Sequence, residues 1–387
     1  MFVKHLTLID FRNHKNTEIE FQPGVNLLVG PNGHGKTNVI EAIEYVSTLN
    51  SHRVASYQPL IHKAAKSAII RAKVSHETRD VLVDLELHRD NQNQVRINQS
   101  PIPRLRDLLG TLNSVVFAPE DIDIVKRDPS NRRKFIDQLL IQFSPRLSGV
   151  ISDYERVLKQ RNTLLKTARS TGAKGSSLST LDAWDESLVK FGSEIVVERL
   201  LLLDRIKPYL SDAYQAIAVT NNEPNILMKS SLLGSVVVDD FEEAELEYLE
   251  LTDVDRIAEL YRGKLAIVRS KEMERGITLI GPHRDDLVLL LGDLPAKGYA
   301  SHGESWSYAL ALRLASARLL RDESKTGDPI VILDDVFAEL DAGRRDRLAS
   351  LVADNEQVII TAAVSEDVPT SLKATVFEVS EGSVTRV

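Results

Sequence analysis

Two short segments near opposite ends of the chain limit what it can fold into. The first is Gly30-Pro31-Asn32-Gly33-His34-Gly35-Lys36-Thr37, after the apolar run 25–29 and before residues 39–43, where apolar side chains return at helical spacing. A GxxxxGK[ST] loop between a strand and a helix is a phosphate cradle. Its glycines let backbone amides turn toward phosphate oxygens, its lysine reaches the terminal phosphates, its hydroxyl holds magnesium, and the helix adds its positive end. Gly30, Gly35, Lys36 and Thr37 fill those roles, with Pro31, Asn32, Gly33, His34 and Asn38 completing the wall around ATP. Lys36 is also assigned to catalysis.

The second segment is Ile330-Val331-Ile332-Leu333-Asp334-Asp335, a buried-type strand ending in two acids. A P-loop needs such a carboxylate on a neighbouring strand to bind the Mg2+ shell. Asp334 is expected to take that role with Thr37, and Asp335 to orient or deprotonate the attacking water. Both segments must serve one phosphate, so the N- and C-terminal parts belong to one sheet and everything between them is an insertion.

At 387 residues two lobes are expected. With 43% hydrophobic and 27% charged residues the chain reads as globular. No run approaches the roughly 20 apolar residues of a membrane span, so no membrane partner is expected. The absence of cysteine excludes disulfides and thiolate metal sites. The N-terminus alternates like a strand and has no apolar leader, so a cytoplasmic location is expected. A net charge of −8 argues against blanket attraction to nucleic acid, which leaves local basic patches for any DNA contact.

Alternation around Leu6, Leu8, Ile19 and Phe21 predicts two strands joined by the polar turn 11–14, and residues 68–98 predict antiparallel strands. A buried strand is predicted at Val115–Phe117. From about residue 130 the period becomes helical, with Ser130 as a cap. Leu147, Val150, Tyr154, Val157, Arg161 and Leu164, then Leu181, Trp184, Leu188, Phe191 and Ile195, predict a helical hairpin over 145–210 with a Gly/Ser tip at 170–179. The spacing is equally compatible with a projecting coiled coil and an ordinary helical subdomain. Residues 225–233 suggest a strand and 242–250 an acidic solvated stretch. A helix over 254–274, strands at 277–280 and 287–291, and a helix over 304–321 follow. The C-terminal part reads as strand 330–333, helix 343–353, strand 357–361 and a final strand pair.

The order of these motifs resembles the ABC-type heads of the SMC superfamily, and within it the RecF family of bacterial recombination mediators. The resemblance covers the whole chain. It rests on "FRNH" from Phe11, "GPNGHGKTN", "SHR" at 51–53, "FAPEDIDIVKRDPSNRRKFID" from Phe117, "GPHRDD" from Gly281 and "LDDVFAELD" from Leu333. It implies an α/β fold: an ABC/SMC-type P-loop ATPase head assembled from N- and C-terminal segments (1–125 and 276–387), with an inserted helical arm-like domain (126–275).

The resemblance further implies ATP held between two heads in an ATP-dependent homodimer. A Ser-x-Gly signature, here Ser301 and Gly303, would cap the γ-phosphate held by the partner copy. The family commonly has Gln where His302 and Glu304 stand, which places an acid where phosphate approaches. Arg12 and Asn13 are implied near the nucleotide, Asp341 in the D-loop, and Thr361 at a switch position that lacks histidine. Pro119–Asp121 follows a strand as the Q-loop does, without its glutamine. Asp335 stands where transporter-type relatives have glutamate, which implies slow turnover.

Family likeness also implies binding to double-stranded DNA at gaps or junctions, with RecO and RecR as partners in loading RecA. Contact candidates are Arg132, Arg133, Lys134, Arg262, Lys264, Lys166, Arg169 and Lys174, which would give sequence-independent, salt-sensitive binding. Two other classes fit less well. A nuclease-coupled ATPase needs a further domain after Asp341, and a transport ATPase lacks a helical hairpin of this size. An ATP-binding structural clamp without functionally important hydrolysis is the alternative that remains.

Overall fold

The computed structural model describes residues 1–76, 79–171, 179–218, 222–232 and 252–387, and the chain divides into two compact units. The first comprises Met1–Val125, Tyr209–Asn222 and Ala300–Val387, and the second Lys126–Pro208 and Glu223–Tyr299. The expected division at 275/276 is not where the chain re-enters the first unit. Residues 276–299 stay with the second because strand 286–291 pairs with strand 224–229.

In the first unit, β1 (Phe2–Phe11) and β2 (His14–Glu20) pair antiparallel, with Leu6 opposite Ile19 and Phe11 opposite His14. β4 (Ser67–His76), β5 (Arg79–His88), β6 (Gln94–Ile97) and β7 (Ser100–Pro101) extend this sheet in the order β2-β1-β4-β5-β6-β7. The other sheet takes β3 (Gly24–Val29), β8 (Ser114–Phe117), β12 (Ile330–Asp334), β13 (Gln357–Ala362), β14 (Ala374–Ser380) and β15 (Ser383–Arg386). Its order is β15-β14-β3-β13-β12-β8. Apart from β15 the pairings are parallel, and β12 and β13 are buried throughout, as sheets covered on both faces require.

Helix α1 (Lys36–Thr48) lays Val39, Ile40, Ile43 and Val46 into the core with Leu6, Leu8, Phe21 and Leu28. The parallel register puts Leu27 beside Ile360 and Ile360 beside Leu333. The C-terminal ends of β3, β13 and β12 therefore share one edge, where α/β sheets bind ligands.

The second unit is built on α2 (Pro129–Phe143), α3 (Leu147–Thr171), the part of α4 (Ser179–Ile217) up to Pro208, and α5 (Val254–Arg275). A sheet of β9 (Pro224–Lys229), β10 (Asp286–Leu291) and β11 (Leu294–Pro295) accompanies them. α2 starts at Pro129 after Asp128, one residue before the Ser130 cap read from sequence, because proline's fixed φ suits the first helical position.

The hairpin helices pack as a subdomain. Arg161 of α3, fully buried, donates to Asp185 of α4 (2.6 Å), Glu272 of α5 (2.6 Å) and the Thr278 hydroxyl (2.9 Å). The strand expected at 277–280 does not form. The amides of Thr278 and Leu279 donate instead to the side chains of Asn162 and Glu272. Residues 172–178 of the hairpin tip and the whole acidic stretch 242–250 lie outside the described residues. Among the described residues no helix is long and apolar enough to cross a membrane.

Candidate functional site

The cradle forms at the end of β3. Gly35 caps α1 with a left-handed φ of 113°, and a Cβ there would meet the side chains of Asn13 and His14 at 2.7–2.8 Å, so the last turn of the loop needs glycine. Lys36 is buried, and its ammonium donates to Gly30 O (2.7 Å), Pro31 O (3.3 Å) and Asn32 Oδ1 (3.3 Å). Pro31, Asn32 and Gly33 are exposed on the rim, and the Asn13 amide holds His34 O at 3.0 Å.

The acids at the end of β12 reach this loop. The Thr37 hydroxyl donates to Asp334 Oδ1 at 3.1 Å, across 297 residues of sequence. Thr361, on the strand between, donates to the same oxygen at 2.6 Å and accepts from the Asp335 amide at 3.0 Å. Hydroxyl and carboxylate oxygens are the hard donors Mg2+ takes. Among the described residues no cluster of three or more acids or histidines forms a metal cage, which suits an ion sharing its shell between one carboxylate, one hydroxyl, phosphate and water.

Asp335 sits in the left-handed region, φ 51°. Burial, then the neighbouring Asp334 charge, push its carboxyl above the usual range, with the Lys36 ammonium opposing. His52 lies on the other oxygen of Asp334, Nε2 3.6 Å from Oδ2, while its Nδ1 bonds Glu44 Oε2 at 2.6 Å. Burial works against a charged imidazole here, but hydrogen bonds to Asp334 and Glu44 lift its pKa to about 10.

Beside the cradle a pocket of about 610 Å³ is lined by Arg12, Asn13, Asn38 and Arg53 together with residues of the 58–63 segment and Arg89. Arg12 and Asn13 both line this pocket, and Asn13 bonds the loop at His34 O. Sequence reading gave no role to Glu41, Glu44 or His52. Two acids three positions apart on an otherwise apolar helix were the available signal, since such a pair shares a face that here is buried.

Ser301 caps helix α6 (His302–Glu323), its hydroxyl accepting from the Glu304 amide (3.2 Å) while Glu304 Oε2 accepts from the Ser301 amide (2.8 Å). Asn222 donates to the other Glu304 oxygen at 2.6 Å. The acid at this position is thus engaged in a capping box. Among the described residues the hydrogen bonds of Ser301 and Glu304 stay at this helix end and with Asn222, and none runs to 30–37. Asp341 caps α7 (Ala342–Val352), pairs with Arg344, and Arg344 in turn donates to Ser307 of α6 at 3.0 Å, beside Gly303. At the Q-loop position Asp121 receives Arg313 at 2.6 Å.

Of the basic triplet, Lys134 is exposed while both arginines are engaged within the protein. Arg132 is buried in a two-bond pair with Asp286, 2.7 and 3.0 Å, and Arg133 donates to Asp285 O. A buried pair of this kind belongs to packing rather than to phosphate contact. Arg262 pairs with Glu186 and Arg169 donates to Arg275 O, while Lys166 is exposed, Lys264 half-buried and Lys174 outside the described residues.

The RecF/RecN/SMC N terminal domain family matches residues 2–383. The chain is 50% identical over 388 residues to the DNA replication and repair protein RecF of Leifsonia xyli subsp. xyli (strain CTCB07), covering 99% of each. It is 51% identical over 390 residues to the protein of the same name from Streptomyces avermitilis, covering 100% of each. Its fold matches a structure of the recombination mediator protein RecF-ATP in the RecFOR pathway, with TM-score 0.86, 27% identity, and 100% of this chain and 97% of that one covered. The Smc head bound to the C-winged helix domain of ScpA shares the fold at TM-score 0.54 and 16% identity, covering 100% of this chain and 97% of that one.

Proposed function

This chain belongs to the RecF family, and from that premise we propose that it is an ATP-gated DNA-binding protein of recombinational repair and replication maintenance. The observation that carries this reading is the meeting of Thr37 and Asp334 beside Lys36. A hydroxyl, a carboxylate and an ammonium from opposite ends of the chain converge at the edge of one sheet, the set that Mg2+-bound ATP requires.

In this reading the backbone amides of 30–36 take the phosphates, and Lys36 exchanges its three protein acceptors for phosphate oxygens. Thr37 and Asp334 would hold Mg2+, which neutralises charge on the phosphates when bound. Asp335 accepts the proton of the attacking water; its raised pKa makes it a stronger base than an ordinary aspartate, and its short side chain suits slow, DNA-dependent turnover. The pocket beside the cradle, with Arg12 and Arg53 in its lining, takes phosphate oxygens of the same nucleotide.

Ser301 and Gly303, at the N-terminus of α6, offer an anion site to the nucleotide of a second copy. ATP thereby closes a homodimer on double-stranded DNA at gaps or junctions, and hydrolysis opens it. The relatives' place in the RecFOR pathway supports RecR and RecO as partners in helping to load RecA, in the cytoplasm. Sizing the wild type and Lys36→Arg with and without ATP tests the scheme. ATP-dependent dimers in the wild type alone are expected, and a monomer under both conditions would end the gating idea.

A further inference from the structure

Glu41 lies on α1, little more than one turn beyond the cradle, and is fully buried. A buried carboxylate must be paired, or its desolvation goes uncompensated. Arg12 pairs with it through two bonds, Nε at 2.8 Å and Nη2 at 2.6 Å. The Ser51 hydroxyl donates to Oε1, and Arg53 Nη1 stands 3.5 Å from Oε2.

Both arginines also line the pocket beside the cradle. Arg12 is fixed at its backbone as well, with φ 54° and its amide on Leu60 O at 2.7 Å. With two of its five N–H groups committed to Glu41, Arg12 can turn others to a ligand. Arg53 donates to Asn38 Oδ1 (2.8 Å), Asn38 to Asn13 Oδ1 (2.7 Å), and Asn13 to His34 O (3.0 Å). An ion pair thus joins the carboxylate to the Arg53 guanidinium, and hydrogen bonds through two amides lead from there back to the cradle backbone.

We infer that Glu41 is a positioning residue of the nucleotide site: it sets Arg12 and Arg53 in the geometry that receives the anionic end of a nucleoside triphosphate. It touches no ligand and acts through the two arginines. The inference rests on the nucleotide-binding reading above. Without the carboxylate, two cations at the mouth of one pocket would repel each other and spread over many rotamers. Ligand binding would then have to order them.

The test uses the full chain as wild type, Lys36→Ala, Glu41→Gln, Arg12→Ala and the Glu41→Gln/Arg12→Ala double variant. The readouts are the Kd of a fluorescent ATP analogue, KM and kcat for ATP, and a thermal melt. Glu41→Gln is expected to weaken binding about tenfold, the scale of one lost charge-assisted contact, and to raise KM by the same factor with kcat held. The double variant is expected to fall below Arg12→Ala by less than the loss Glu41→Gln shows alone, because only Arg53 is then left for Glu41 to set.

Wild-type affinity in a folded Glu41→Gln, losses that multiply in the double variant, or a fall in kcat alone would each overturn the inference. If Glu41→Gln does not fold, Glu41→Asp carries the test. It keeps the charge and shortens the reach, so a KM increase is expected and unchanged affinity would overturn the idea. A wild type that binds no nucleotide would instead sink the underlying reading. Binding by wild type that is lost in Lys36→Ala and unchanged in Glu41→Gln would sink only this inference.

Discussion

The chain carries two Gly-Pro motifs, one in each compact unit, and they put polar side chains to opposite uses. Gly35 of the first and Gly281 of the second hold nearly the same backbone angle, φ 113° and 121°. Around Gly35 the close neighbours are the ends of Asn13 and His14, and the loop's exposed rim is open to a ligand. Around Gly281 everything closes inward. A Cβ there would lie 1.9 Å from the Tyr261 hydroxyl, which itself donates to Ile280 O, and Tyr154 bonds His283 Nδ1 at 2.7 Å. Asp285 accepts from Ser231 at its amide and hydroxyl, and Arg199 donates to Pro282 O and to Asp137. The first motif holds polar atoms whose partners a ligand can replace. In the second the partners are protein, and the return is a fixed packing of helices.

Substitution should separate these uses, and the largest effect belongs to the open site. Asp335→Asn is expected to slow ATP hydrolysis about 100- to 10,000-fold, the range of a lost general base, while leaving nucleotide affinity in place. Equal phosphate-release rates in variant and wild type would favour the structural clamp instead. Because burial and Asp334 hold the Asp335 carboxyl high, turnover should also decline on acidification sooner than for an ordinary aspartate.

In the closed site, Arg161→Met strands Glu272 and Asp185 and is expected to cost about 3–5 kcal/mol in thermal or denaturant unfolding. ATP affinity should stay within about twofold, since distant sites add independently. A large change in affinity would break the contrast. Gly281→Ala should cost about 3 kcal/mol, from the left-handed backbone and the overlap with Tyr261. In a Tyr261→Phe background the penalty should shrink, which distinguishes the overlap from the backbone strain.

The smallest effect is set by pH. Burial, with the charges of Arg284, Arg133 and Arg161, lowers His283 from 6.5 to about 4, against the pull of its bond to Thr278 O. A base with a depressed folded pKa contributes stability that is complete above its unfolded value and is lost as pH falls through the folded one. Between pH 8 and pH 5 the wild type should therefore lose about 2 kcal/mol that His283→Gln does not lose. Parallel curves for the two would remove His283 from the account.

The head was legible because its signals are local or strongly periodic: the cradle fixes glycines by spacing, and strands such as 330–334 declare themselves by unbroken apolar runs. The pairing of Thr37 with Asp334 followed from one chemical demand, that both serve the same phosphate. What stayed hidden depends on partners far away in sequence. Nothing in Arg132-Arg133-Lys134 marks Arg132 as the buried partner of Asp286, and a basic triplet reads the same whether it faces solvent or core. The 277–280 segment has strand composition, yet side chains of Asn162 and Glu272 take its amides before any strand can. Glu41 escaped because its partners lie on a turn and a loop whose positions only the fold supplies.

β3, the strand that leads into the cradle, has β13 and β14 as its two neighbours. During synthesis residues 24–29 leave the ribosome well before either flanking strand, at 357–362 and 374–380. At about 5–20 residues per second the wait is on the order of tens of seconds. Throughout it an apolar segment has no lateral partner, a condition that invites association with other nascent chains. The second unit, drawn from residues between β3 and β13, can reach its own packing first, and the cradle strand gains its neighbours only once β13 and β14 emerge. A truncated polypeptide lacking β13 and β14 would carry every residue of the P-loop and no engine.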